Sequence, residues 1–175
     1  AARQPVIKKV NDVSLAFLAY NDSDVVPADY QASATTPGTA FLDTAIITED
    51  VKRAKKLVDL VIVSMHSGSE YQPLPNSRQK EYAHAAIDAG ADLVIGHHPH
   101  VVQTVEKYQG KWIIYSLGNF VFDQMWSQAT REGVIAEIQL DKTGVIDIEY
   151  YPVIIEDYSQ PRMATGEEGE RILER

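Results

Sequence analysis

The sequence predicts an α/β fold, with a parallel βαβ core followed by antiparallel hairpins. Three observations carry this reading. Residues 60–65 and 92–96 are short, almost unbroken apolar runs, as expected of strands buried on both faces. Residues 77–89 lie between them and read as a helix, so strand, helix and strand follow in the order that makes parallel neighbours. After residue 100 the pattern changes to paired runs split by turn residues, the mark of hairpins.

Taken in order, residues 13–19 form an apolar run that reads as a buried strand ending at Tyr20-Asn21-Asp22. Residues 21–40 are rich in Asp, Pro, Ser, Thr and Gly and read as a long surface loop. Residues 48–59 read as a helix. Thr48 is the expected N-cap, Glu49 and Asp50 sit in the first turn, and Val51, Ala54, Leu57 and Val58 share a face. Asn76 is the expected cap of the helix over 77–89, with Gln79 as its capping-box partner and Gly90 as the stop. Gln109-Gly110 joins runs 101–108 and 111–117 into one hairpin. Asp141-Lys142-Thr143-Gly144 joins 134–140 and 145–155 into another. Residues 163–175 are polar, with a helix expected to start over 167–175.

A length of 175 residues suits one domain with a real core, taken to span residues 1–175. No run approaches the roughly 18 apolar residues of a membrane span. No charged segment followed by an apolar run marks a signal peptide, and the chain begins at Ala1. With no cysteine, disulfides, thiolate nucleophiles and Cys-type zinc sites are excluded. Acidic residues outnumber basic ones 25 to 16, for a net charge of −9, which argues against nucleic acid as a partner. The one basic cluster, Lys52, Arg53, Lys55 and Lys56, reads as a solvated helix face.

All five histidines fall between residues 66 and 100. Four occupy two places, His66 and the group His97, His98 and His100, each just after a predicted parallel strand. Ligands bind beyond the carboxyl ends of such strands. If these two strands are neighbours, about 4.8 Å apart, their terminal imidazoles can converge on one ion or an ion pair; the alternative is that they are loop histidines that hydrogen-bond the backbone. Without cysteine the donors are His, Asp, Glu, Asn and water, which suit manganese, iron or zinc in a catalytic site. Pro99 stiffens the turn between His98 and His100. His97 is open to three roles: binding a second ion, touching substrate, or pointing away. Glu70, four residues past His66 across a glycine loop, is open to ligation, to orienting a ligand histidine, to general acid or base work, or to plain solvation. Asn119, after the run 111–117, offers an oxygen ligand, a hydrogen bond to substrate, or simply a turn conformation. His84 lies inside the predicted helix and reads as a surface residue without a role. Other chemistries are poorly served. There is no Gly-x-Ser-x-Gly elbow, no phosphate-binding glycine pattern and no His-Glu-x-x-His.

Three stretches also carry a resemblance. Val61-Ile62-Val63-Ser64-Met65-His66-Ser67-Gly68-Ser69-Glu70-Tyr71 comes first, with Gln79 after it. Ala89-Gly90-Ala91-Asp92-Leu93-Val94-Ile95-Gly96-His97-His98-Pro99-His100-Val101 and Ile114-Tyr115-Ser116-Leu117-Gly118-Asn119-Phe120 follow. In order and spacing they resemble the CapA-type bacterial capsule synthesis proteins of poly-γ-glutamate production, from about residue 10 to residue 155. That family is similar to calcineurin-like metallophosphoesterases. The resemblance implies a two-sheet metallophosphoesterase-like sandwich with two divalent transition-metal ions, Mn, Fe or Zn. It implies His66, His98 and His100 as metal ligands, and it matches Glu70 and Asn119 to motif positions. Together with the reading above it makes Glu70, His97 and Asn119 candidate catalytic residues. Ser67 stands where the family usually has an aromatic residue. The family's Gly-Asp, Asn-Leu-Glu and Asn-Asn-His segments are absent from these 175 residues, so the chain is expected to be the C-terminal portion of a larger domain. The expected partners are the N-terminal portion of the same protein, poly-γ-glutamate and membrane-bound synthase components. The expected location is the extracellular face of a bacterial membrane. A metal-dependent hydrolase of phosphoesters and a non-catalytic interaction domain are the alternative readings.

Overall fold

The computed structural model describes residues 2–174. Four parallel strands make the centre of the larger sheet: β2 (Val13–Asn21), β3 (Leu60–His66), β4 (Leu93–His97) and β6 (Lys111–Ile114). β1 (Val6–Val10) and β5 (Val105–Tyr108) flank them antiparallel, giving the order β1-β2-β3-β4-β6-β5. Two helices, α1 (Thr44–Lys55) and α2 (Ser77–Asp88), cover one face. The buried set there alternates along each strand: Ala16, Leu18 and Tyr20, then Val61, Val63 and Met65, then Val94, then Ile113 and Tyr115. A second sheet holds β7 (Glu132–Asp141), β8 (Gly144–Glu156) and β9 (Gln160–Met163), all antiparallel. The one-turn α3 (Gln128–Arg131) leads into it, and α4 (Gly166–Leu173) packs on it through Ile172.

Several expectations hold for local reasons. The Asn76–Gln79 capping box is formed, and Gly90 ends the helix at a φ of 110°. Gln109 and Gly110 both have positive φ, as a two-residue hairpin turn of the primed type demands. The predicted terminal helix is α4; Arg175, at the end of that prediction, lies outside the described residues.

Four expectations are corrected. Helix α1 starts one turn earlier than Thr48, because Asp43 caps it by accepting from the amides of Ala45 and Ile46. The helix also ends at Lys55, and Glu49 and Asp50 lie beyond its first turn, with Asp50 buried. The basic cluster is not a plain solvated face. Arg53 and Arg3 pair with buried Asp50, and Lys55 pairs with buried Asp92, while Lys52 and Lys56 stay exposed. The third concerns the region after residue 100. β5 and β6 form the expected hairpin, but β6 also runs parallel to β4 and extends the first sheet. Its Ile113 and Ile114 are both shut from water, which requires cover on both faces. Finally, β1 and β9, which periodicity did not reveal, are short strands at sheet edges. β1, Val6-Ile7-Lys8-Lys9-Val10, is exposed at every residue and shows no apolar–polar alternation.

Candidate metal centre

The carboxyl ends of the four parallel strands line up on one edge of the sheet. β2 runs into Asp22, β3 ends at His66, β4 ends at His97, and β6 leads to Asn119. His66 and His97 are register partners, so their side chains leave the same face. The strands approach closely here. At Gly96 a β-carbon would lie 2.1 Å from the carbonyl oxygen of Tyr115, so only glycine fits.

The loops beyond these ends are held firmly. Ser67 N–H donates to the His97 carbonyl at 3.0 Å, and Tyr71 N–H to the Pro99 carbonyl at 2.8 Å. Gln79, from the capping box, donates to buried Gln103 at 2.9 Å, and Gln103 donates to the Gln72 carbonyl at 2.9 Å. Gly68 has a φ of 119°, and a β-carbon there would strike the Gln79 amide. Helix α2 thereby clamps the loop that carries Glu70. Within these loops three non-glycine residues take left-handed backbone: Tyr71 at 63°, His98 at 103° and His100 at 61°. Each costs on the order of 1–3 kcal/mol, which the surrounding hydrogen bonds must offset. Such strain gathers where side chains are aimed for function.

The result is a tight donor group. Ligand atoms of Glu70, His98 and His100 all lie within 4.8 Å of one another. The His66 ring stands 4.9 Å from His98, and His98 stands 5.8 Å from His100, between ring centroids. His97 is directed elsewhere. With His66 it lines an adjoining cleft of about 330 Å³ that also includes Asn21, Thr39 and Ser64. Asn119 sits behind the group, its Oδ1 2.9 Å from His100 Nδ1. The structure thus brings Glu70, His98 and His100 together, sets His66 beside them, and places His97 and Asn119 at the margins. His84 is remote from this group. It stacks on Tyr108 at 3.9 Å and bonds Glu106.

Burial lowers the His66 pKa below 6.5, and the neighbouring His98, His97 and His100 lower it further. His98 is also lowered, chiefly by burial, with Glu70 and Asp22 opposing. His97 keeps an exposed surface, yet the protein mass around it pushes its pKa down. These three imidazoles are therefore neutral at pH 7, with lone pairs available. Neutral imidazole nitrogen with one carboxylate oxygen suits zinc, manganese or iron, so the residues fit a transition metal.

Two features escaped sequence reading. Asp22, 3% exposed, terminates β2 at the same edge, accepts from Arg78 at 2.7 Å, and acts electrostatically on His98. Its position at the end of a predicted strand was the available signal. An aromatic rim is the second. Tyr71 stacks near His100 at 6.1 Å, Phe122 stands 5.0 Å from His100, and Trp126 meets Tyr71 edge-on at 6.0 Å. No local pattern marks loop aromatics as neighbours of a site.

Solved structures share this architecture. A putative 5'-nucleotidase from Staphylococcus aureus aligns with a TM-score of 0.55 at 16% identity, over 98% of this chain and 32% of that one. The sulfate thiohydrolase SoxB of Thermus thermophilus aligns with a TM-score of 0.54 at 19% identity, over 83% of this chain and 24% of that one. The parallel-centred sheet and the antiparallel sheet give this chain a metallophosphoesterase-like fold. Sequence comparison narrows this. Residues 1–124 match the family described as bacterial capsule synthesis protein PGA_cap. A PGA biosynthesis protein CapA from Bacillus subtilis is 43% identical over 150 residues, 86% of this chain and 39% of the relative. A capsule biosynthesis protein CapA from Bacillus anthracis is 34% identical over 171 residues, 95% of this chain and 41% of the relative. The chain belongs to the PGA_cap family of bacterial capsule synthesis proteins, and it spans about two-fifths of the length of these two relatives.

Proposed function

We propose that this chain carries part of a divalent-metal site in a protein of poly-γ-glutamate capsule biosynthesis or export. The convergence of Glu70, His98 and His100 at the strand-end edge carries the reading. The capsule role is drawn from the relatives' names. The full site holds two ions of Mn, Fe or Zn. The additional polypeptide of the longer relatives supplies further ligands and covers the apolar residues left open on β1 and β2. A bound ion would supply Lewis acidity and positive charge. That charge has a second use. A chain of net charge −9 repels a polyanion, so a carboxylate polymer needs a cation to approach it. The proton-transfer roles expected of Glu70 and His97 would be divided by this geometry: Glu70 stands among the donors, and His97 faces the adjoining cleft, where it could meet substrate. The expected partners are the polymer and membrane-bound synthase components, at the outer face of a bacterial membrane. No helix among the described residues is long and apolar enough to cross a membrane.

A second reading, hydrolysis of a phosphoester or a related bond, is favoured by the cluster of neutral imidazoles on a metallophosphoesterase-like sheet. Metal analysis tests what the two readings share. The chain is purified without chelator, alone and joined to the additional polypeptide of its relatives. Bound transition metal that is lost in His98→Ala and in Glu70→Ala is the expected result. No metal in either form would remove both readings. Unchanged polymer after deletion of the gene would remove the capsule role alone.

A further inference from the structure

Between Asn119 and Arg131 the chain folds into a buried polar relay that ends on a site imidazole. Asn119 and Gln124 are each 7% exposed, and Thr130 is fully buried. The Asn119 amide nitrogen lies 2.9 Å from the Thr130 carbonyl oxygen and 3.1 Å from Gln124 Oε1. Gln124 Nε2 lies 3.3 Å from the Tyr71 hydroxyl, whose ring stacks near His100.

The Thr130 carbonyl decides the direction of the whole relay. A backbone carbonyl only accepts. Rotating the Asn119 amide by half a turn would set two oxygens 2.9 Å apart with no proton between them. The atom facing Thr130 is therefore nitrogen, and Oδ1 faces His100. An amide oxygen also only accepts, so His100 Nδ1 must carry the proton. That leaves Nε2 as the unprotonated nitrogen. The Thr130 carbonyl is itself anchored. The Thr130 N–H donates to the Ser127 hydroxyl oxygen at 3.1 Å, and Thr130 Oγ1 donates to the Gln124 carbonyl at 2.8 Å.

We propose that Thr130 and Gln124 are positioning residues, which act through Asn119 to hold His100 as the Nδ1–H tautomer with its Nε2 lone pair free for a cation. The tautomer bound to the outer group sets which nitrogen ligates. The metal in this statement rests on the reading proposed above, but the tautomer does not.

The test reads the tautomer directly, by long-range ¹H–¹⁵N correlation on metal-free protein at pH 8.5. Wild-type His100 is expected as the Nδ1–H form, against the preference of free imidazole for Nε2–H. Asn119→Ala should return it to Nε2–H. Gln124→Leu removes only the second acceptor of the Asn119 amide and leaves the Thr130 carbonyl in place, so Nδ1–H should stay the major form beside a minor Nε2–H population, and Gln124→Glu, which keeps an acceptor for Asn119, should restore the wild-type signal. The shifts of His84, remote from the relay, report whether each variant is folded. An Nε2–H His100 in the wild type overturns the proposal without help from any variant, and an unchanged tautomer in folded Gln124→Leu removes Gln124 from it. Zinc titration of the same samples should show about 10-fold weaker binding in Gln124→Leu. A correct tautomer in protein that binds no zinc would refute the metal reading and leave the positioning intact.

Discussion

At the residue scale, the proposed metal site would need uncharged imidazoles. His66 and His98 have folded pKa values below the ordinary 6.5, mainly because burial penalises the cation. Between the lowered value and 6.5 the unfolded chain binds more protons than the folded one. Stability therefore rises with pH through that window and is lost as pH falls through it. The thermal midpoint is expected to be flat above about pH 7 and to decline below 6.5. In His66→Gln the decline should be shallower. Equal slopes in the two proteins, measured by calorimetry between pH 5 and pH 8, would contradict this account. In the metal reading proposed above, the same protonation should weaken uptake of the ion, since a cation competes with a proton for each nitrogen.

At the scale of elements, the site is an outcome of how closely strands approach. Gly96 permits β4 to lie against the backbone after β6, which brings Asn119 to the edge shared by His66 and His98. A methyl group at 96 would press on a backbone carbonyl in the buried centre of a sheet, where no flexible side chain can yield. Gly96→Ala is expected to cost about 2 kcal/mol or more by overpacking. It should also spread the two loops, so metal affinity falls as well. Denaturant unfolding checks the first part; a change below about 0.5 kcal/mol would show that the strands separate at little cost. Helix α2 contributes in another way. Its capping-box glutamine faces inward, and through Gln103 it ties down the loop that presents Glu70.

At the scale of the whole molecule, the first sheet is unequally covered. Val6, Val10 and Phe17 project from the face opposite the helices and are 59%, 57% and 40% exposed. Farther along the sheets, Val105 and Ile114 of the first and Val134 and Tyr150 of the second line a mainly apolar cavity of about 380 Å³. Open apolar residues set together on one sheet face are unusual for a surface facing only water. The chain alone should therefore bind an environment-sensitive apolar dye, and Phe17→Ser should reduce that signal with little loss of stability. When the additional polypeptide of the relatives is joined to the chain, dye binding should disappear. Persistent dye binding in the joined protein would mean that this face is not where the remainder packs.

The sequence by itself determined what short-range chemistry controls. It placed histidines just beyond two buried strands, capped α2 with Asn76 and Gln79, and set the hairpin at Gln109-Gly110. Each of these rests on periodicity, on a cap or on a backbone angle, all expressed within a few residues. The PGA_cap resemblance was legible for the same reason, being carried by contiguous stretches. The tertiary structure alone decided which donors meet. It chose Glu70 over His66 for the tightest group, turned His97 into the cleft, and added Asp22 and the aromatic rim. It placed β6 in the parallel sheet, where local pattern indicated only a hairpin, and started α1 at Asp43 rather than Thr48. The reason is that a strand's second partner, and the point where side chains from separate loops converge, depend on long-range packing that no local period records.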